Sequence, residues 1–215
     1  MDSQTNERAT LGRVKHALKQ PCGKLKIEVI VYPGFSVSPG EEIAVAKLEA
    51  PPIYGQLAKA LYQSGVMQLP TVAAALGHDD DYQAWTRLQA CIVTKQEPVE
   101  YAHVRRAYNS GIGYKPLFSG VPLASEVHRK QHQNGELSCL LHYGKRVTTV
   151  TEAREWFDKA AAHNLRRWTW EKLRDAIGVT SMREANPVRV MEWFDRNGLS
   201  AAVPKPYRSA VDALN

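Results

Sequence analysis

Residues 24–32 alternate charged and apolar side chains, Lys24, Lys26 and Glu28 against Leu25, Ile27 and Val29, and the run stops at Pro33-Gly34. A period of two ending in a turn dipeptide predicts a half-buried strand. A second strand is expected within residues 42–48. Upstream, Leu11, Val14, Ala17 and Leu18 recur at helical spacing among Arg13, Lys15 and Lys19, the pattern of a short basic helix. Downstream, Ile53, Tyr54, Leu57, Ala58 and Leu61 share one helical face, and residues 71–76 predict a further helix stopped by Gly77. Asp79, Asp80 and Asp81 suit the first turn of a helix running through Trp85 and Leu88, where carboxylates meet the positive end of the helix dipole. Three consecutive carboxylates do not converge on one point, which disfavours a metal role for them.

Beyond Thr149 the periodicity predicts three helices, over residues 151–162, 170–177 and 187–197. Thr169 is the expected N-cap of the second. Pro187 opens the third, where its missing N–H costs nothing, and Gly198 ends it. Two readings compete for the last pair: a helix-turn-helix presenting Arg183 and Arg189 to DNA, or a packing module whose tryptophans fill a core. The near-neutral charge of this part favours the packing module. The expected fold is α+β: an N-terminal α/β region over residues 1–90, a central ββα-like unit over 91–148, and a helical C-terminal region over 149–215.

Composition narrows the class. With 44% hydrophobic and 23% charged residues in 215, the chain has the make-up of a folded globular protein. Its apolar stretches, such as residues 72–76, fall far short of a membrane span, and the N-terminus carries no secretory signal, so cytoplasmic residence and no membrane partner are expected. Three cysteines without a CxxC pair indicate neither a disulfide framework nor a four-cysteine zinc site. The net charge of +6 is uneven: residues 95–148 hold eight Lys/Arg against four acids, whereas residues 27–94 hold three against seven. A basic segment is a plausible face for phosphates, because neutralising them releases counterions.

That basic segment also holds the chemistry. His128 and His132 stand four residues apart in a helical pattern, so both imidazoles leave one face and can share a cation. His103 follows the extended run Pro98-Val99-Glu100-Tyr101-Ala102. Gly111-Ile-Gly113-Tyr-Lys-Pro116 and Val121-Pro122-Leu123 lie between, and Gly135-Glu136 follows the His-bearing helix. Strand, glycine-containing excursion and helix make a ββα-like unit, with the second strand drawn from residues 105–123.

Over residues 90–137 the chain resembles the HNH (His-Me finger) endonucleases, in particular the phage and prophage recombination-promoting Ref-type nucleases. The landmarks are His103, Gly-x-Lys-Pro, Pro-Leu, His128, His132 and Gly135. The resemblance implies a metal-dependent DNA endonuclease, phage or prophage encoded, acting in recombination or DNA processing in the bacterial cytoplasm. It implies His103 as general base, His128 and His132 as ligands of a divalent metal ion (Mg, Mn, Ni or Zn), and DNA as partner, with a host or phage recombination protein as a further one. Arg105 and Arg106, beside the base, are expected to grip phosphates, and Lys115, Arg129 and Lys130 complete the expected nucleic-acid contacts.

The chain also departs from the family pattern. Thr94 and Ala124 stand where many relatives carry zinc-binding cysteines, so no structural zinc is expected. Ala102 and Val127 replace a ligand before the base and the first of a doubled histidine, and Glu100 and Glu126 are carboxylates whose spacing gives them no clear place on the cation. These gaps leave open an alternative, a catalytically degenerate HNH-like module that binds nucleic acid or protein, including a phage inhibitor of host defence that uses the acidic 27–94 segment. Cys91 and Cys139 read as small buried hydrophobes rather than nucleophiles.

Overall fold

The computed structural model describes residues 27–29, 46–48, 52–106 and 115–214, and over these the fold is α+β and mostly helical. Strands β1 (Ile27–Val29) and β2 (Ala46–Leu48) pair antiparallel, with Ile27 opposite Leu48. Helices α1 (Pro52–Gln63), α2 (Pro70–Leu76) and α3 (Asp79–Arg87) follow, then β3 (Glu100–His103), β4 (Gly120–Leu123), α4 (Ser125–His142), α5 (Val150–Ala176), α6 (Pro187–Arg196) and α7 (Lys205–Asp212). The expected basic helix near Leu11, Cys22 and the Gly111-Ile-Gly113 turn lie outside the described residues. Among the described residues, no helix is long and apolar enough to cross a membrane.

The helix starts follow the local chemistry. Asp79, Asp80 and Asp81 form the first turn of α3, and Asp81 Oδ2 accepts the His78 backbone N–H at 3.0 Å. At α6 the Asn186 side chain accepts the Val188 N–H at 2.9 Å, with Pro187 in the first turn. Thr149 caps α5 by accepting from Glu152 N at 3.1 Å.

The main correction concerns α5. Two of the three expected C-terminal helices are one continuous helix of 27 residues, about 40 Å long at 1.5 Å per residue. Thr169, the expected N-cap, is buried in its interior. Its hydroxyl bonds back to Arg166 O and reaches Met67 O, so the side chain is satisfied without a helix start. Nothing between residues 162 and 170 breaks a helix, and Leu165 and Trp168 are both buried there.

This helix runs past three apolar clusters. Ala153 and Phe157 enter the core of the ββα unit, with Ala102, Val121, Leu123, Val127 and Leu140. Leu165 and Trp168 meet Tyr82, Tyr101 and Phe118. Leu173 joins Leu57, Leu61, Met67, Val72, Val190, Trp193 and Phe194. The N-terminal helices thus share a core with α6 and α7, across the boundaries at 90 and 149 expected from sequence. The tryptophans and phenylalanines of residues 157–194 are mostly core, as the packing module requires.

Candidate functional site

The ββα unit is built on one short ladder, in which β3 and β4 pair antiparallel with Glu100 opposite Leu123 and His103 opposite Gly120. Side chains alternate across β3. Tyr101 points to the aromatic cluster, while Ala102 packs fully buried against the α4 side with Val127. Glu100 shares the Ala102 face and therefore meets the first turn of α4. There Ser125 Oγ donates to Glu100 Oε1 at 2.5 Å, and His128 Nδ1 lies 2.7 Å from Glu100 Oε2.

The carboxylate can only accept, which places the proton of neutral His128 on Nδ1 and leaves Nε2 bare. His132 Nε2 lies 2.9 Å from His128 Nε2, and the two rings are 4.6 Å apart. Helical spacing has therefore brought two ring nitrogens to one point. They open onto a shallow groove lined also by Glu100, Ser125, Arg129 and Gln133. Both hydrogen bonds lower the pKa of Glu100, Ser125 contributing most.

His103 ends β3. It is half-buried, its ring stands edge-on to Tyr101 at 4.8 Å, and its buried Nδ1 has no hydrogen-bond partner. Burial lowers its pKa, and the charges of Lys115 and Arg105 lower it further, against a smaller opposing effect of Asp79. His132 is lowered too, by desolvation first and then by His128 and Arg105. Both imidazoles are thereby biased toward the neutral form that accepts protons or metals.

The expected phosphate-binding cations separate into two groups. Arg105 and Lys115 act electrostatically on His103, and Arg129 lines the histidine groove. Arg106 faces elsewhere: its guanidinium pairs with Glu136 and Asp158, each at 2.8 Å, and donates to the Arg154 carbonyl, with 11% of the side chain exposed. Lys130 lines a different groove on α4, with Asn134, Leu137 and Leu141. The kink at Gly135, whose φ of 78° suits glycine, falls just before Glu136.

Among the described residues, no group of three or more His, Cys, Asp or Glu side chains is disposed to hold a metal ion. The two histidines nevertheless fit a cation as a pair. Their Nε2 atoms converge, His132 Nε2–H donating to the bare Nε2 of His128, so a cation would take the place of that proton; the far nitrogen of His128 is tied to a carboxylate, the arrangement that orients metal-binding imidazoles. Cys91 and Cys139 are fully buried thiols, with Thr94 N donating to Cys91 Sγ at 3.5 Å. Burial pushes the Cys139 thiol up to about 11, which keeps it protonated and unreactive. Ser125 and the bonded role of Glu100 were missed from sequence. The available signal was the two-residue offset that puts Glu100 on the face of Ala102.

Comparison with protein-family models, with curated proteins and with solved structures gives no match to this chain.

Proposed function

We propose that the chain is a metal-dependent HNH-type endonuclease that hydrolyses phosphodiester bonds in DNA, in phage or prophage recombination or DNA processing within the cytoplasm of a bacterial host. One observation carries this reading. The Nε2 atoms of His128 and His132 converge on a helix packed against the strand that ends in His103, within a single ββα unit.

The residues divide the work as phosphodiester hydrolysis requires. His103, held neutral near pH 7 by burial and neighbouring cations, takes the proton of the attacking water. Arg105, Lys115 and Arg129 receive the backbone phosphates around it. His128 and His132 would hold a divalent cation in place of the proton between their Nε2 atoms, and the cation would supply stabilisation of charge on the scissile phosphate. Arg106 braces the unit through Glu136 and Asp158 rather than touching DNA.

The test is cleavage of supercoiled plasmid and of single-stranded DNA with EDTA, Mg²⁺, Mn²⁺, Ni²⁺ or Zn²⁺. Wild type is expected to cut only with metal, and His103→Ala to lose about 10²- to 10⁴-fold in rate while still binding DNA. Equal cutting by the variant overturns the base assignment. Salt-sensitive DNA binding without cleavage in any metal replaces the nuclease with a degenerate binding module, and neither activity points to a protein partner.

A further inference from the structure

The middle of α5 carries a second cationic cluster, made of residues that the histidine groove does not use. Arg167 lays its guanidinium over the Trp85 ring, 5.4 Å from the centroid, and its Nη2 donates to Gln89 Oε1 at 3.0 Å. Both supports are themselves held: Gln89 Nε2 donates to Trp85 O at 3.1 Å, and Trp85 Nε1 donates to Glu171 Oε2 at 2.8 Å. One residue earlier, Arg166 stacks 4.5 Å from the Tyr62 centroid, and its Nη2 donates to His163 Nδ1 at 3.3 Å. Lys95, on the loop before β3, reaches the same place: after burial, it and the two arginines lower the pKa of His163. Among the described residues, none of these three cations forms an ion pair. Arg166 also buries its Nε without a hydrogen-bond partner.

We propose that Arg166 and Arg167, with Lys95 beside them, form a second DNA-contacting surface that takes the backbone phosphates of a duplex away from the histidine groove. Desolvating a guanidinium costs free energy that a nearby carboxylate ordinarily offsets. Here rings and neutral acceptors fix the plane of each fork and leave its charge uncompensated. A cation that merely solvates the helix behaves differently: Lys159, on the same helix, is exposed and paired with Glu155 one turn away. Forks fixed in advance lose little side-chain entropy when a phosphate arrives, and the counterions it releases add affinity. The surface is also rigidly tied to the finger, because α5 carries Phe157 into the core of the ββα unit. The choice of DNA among polyanions rests on the nuclease reading.

The experiment is fluorescence anisotropy of a labelled DNA duplex with the full chain in EDTA, over a salt series. It compares wild type with the double variant Arg166→Gln/Arg167→Gln, with Lys95→Gln, and with Arg196→Gln, an exposed arginine of α6 outside the cluster. The slope of log affinity against log salt is expected to fall by about 2 in the double variant and about 1 in Lys95→Gln, and to stay put in Arg196→Gln. Lys95 is exposed, so its variant keeps the fold even if the double variant melts early. Wild-type slopes in the double variant and in Lys95→Gln overturn the proposal. An equal fall in Arg196→Gln does so too, since the effect is then net charge alone. Polyglutamate displacing the duplex as readily as unlabelled duplex does replaces DNA with an acidic protein. Absence of duplex binding by wild type removes this surface and the nuclease together. The expected slopes without cleavage in any metal leave the surface standing and refute the nuclease alone.

Discussion

Two polar centres face each other across one register pair of the finger, His103 on β3 opposite Gly120 on β4, and they treat their polar groups in opposite ways. Around Gly120 the groups find partners inside the protein. Tyr82 Oη donates to Gly120 O at 2.7 Å and accepts from Asn164 Nδ2 at 2.8 Å, Asn164 also reaches Thr86 Oγ1, and Gly120 N donates to Tyr101 Oη at 2.9 Å. These groups are buried, and such a network contributes stability only because its members are satisfied. Across the ladder, His103 keeps a buried Nδ1 without a partner, and the His128–His132 pair turns its nitrogens to the groove. Polar groups tied inside the core hold the fold; the unpartnered Nδ1 of His103 and a histidine pair bonded only to each other and to Glu100 at the groove are the ones placed to meet something that arrives.

The largest effects should separate these two centres cleanly. His103→Ala is expected to remove cleavage while leaving the melting temperature near that of wild type, since no hydrogen bond of the fold depends on its Nδ1. Gly120→Ala should do the reverse in kind. A Cβ there would stand 2.1 Å from the Tyr101 ring, and the ring is confined by Tyr82 and His103. Overpacking of this severity should cost about 3 kcal/mol or more, read as a lower denaturant midpoint. Wild-type stability in Gly120→Ala would mean that the aromatic cluster yields far more easily than its packing implies.

Much of the site was legible in the chain because its spacing is local. The i, i+4 pair on α4 and the extended run before His103 each obey one backbone period, and both stand where those periods put them. What was not legible depends on how elements meet. Glu100 acquires its role from the approach of α4 to β3, which no one-dimensional pattern encodes. Arg106 reads like its neighbour Arg105, yet its partners come from Glu136 after the Gly135 kink and Asp158 on α5. The continuity of α5 was hidden by Thr169, a good cap residue by type that instead spends its hydroxyl on Arg166 O and Met67 O.

A smaller effect tests the two centres through pH. His103 and His132 both have pKa values below the ordinary histidine value of about 6.5, so in the window just below it the unfolded chain binds more protons than the folded one. Stability must then rise with pH through that window and be reduced on its acid side. Melting temperature should climb from pH 5 to about pH 7, and His103→Gln should flatten the climb. If His103 is the proposed general base, cleavage should follow the same direction, because its protonated form cannot accept the water proton. The Gly120 centre has no histidine, and the phenols of Tyr82 and Tyr101 are raised by burial and stay neutral throughout. A Tyr82→Phe variant should therefore lose stability by the same amount at pH 5 and pH 7, and a pH-dependent loss would show that the two centres are coupled.

The smallest effect concerns two adjacent arginines assigned to opposite sides of the comparison. Arg105 lies close enough to lower the pKa of both His103 and His132, whereas the Arg106 guanidinium is held by Glu136, Asp158 and the Arg154 carbonyl. If Arg105 meets a phosphate, Arg105→Ala should weaken DNA binding and reduce the slope of log affinity against log salt by about 1, with the melting temperature unchanged. Arg106→Ala should leave the salt slope alone and lower stability instead. Glu136 is raised by its own burial and brought down by Arg106, so losing the guanidinium strands a buried carboxylate that will take up a proton. The loss in Arg106→Ala should accordingly be greater at pH 8 than at pH 5, where Glu136 is closer to neutral. Matching salt slopes in the two variants would place Arg106 back on the DNA side and undo the separation drawn between structural and functional charge.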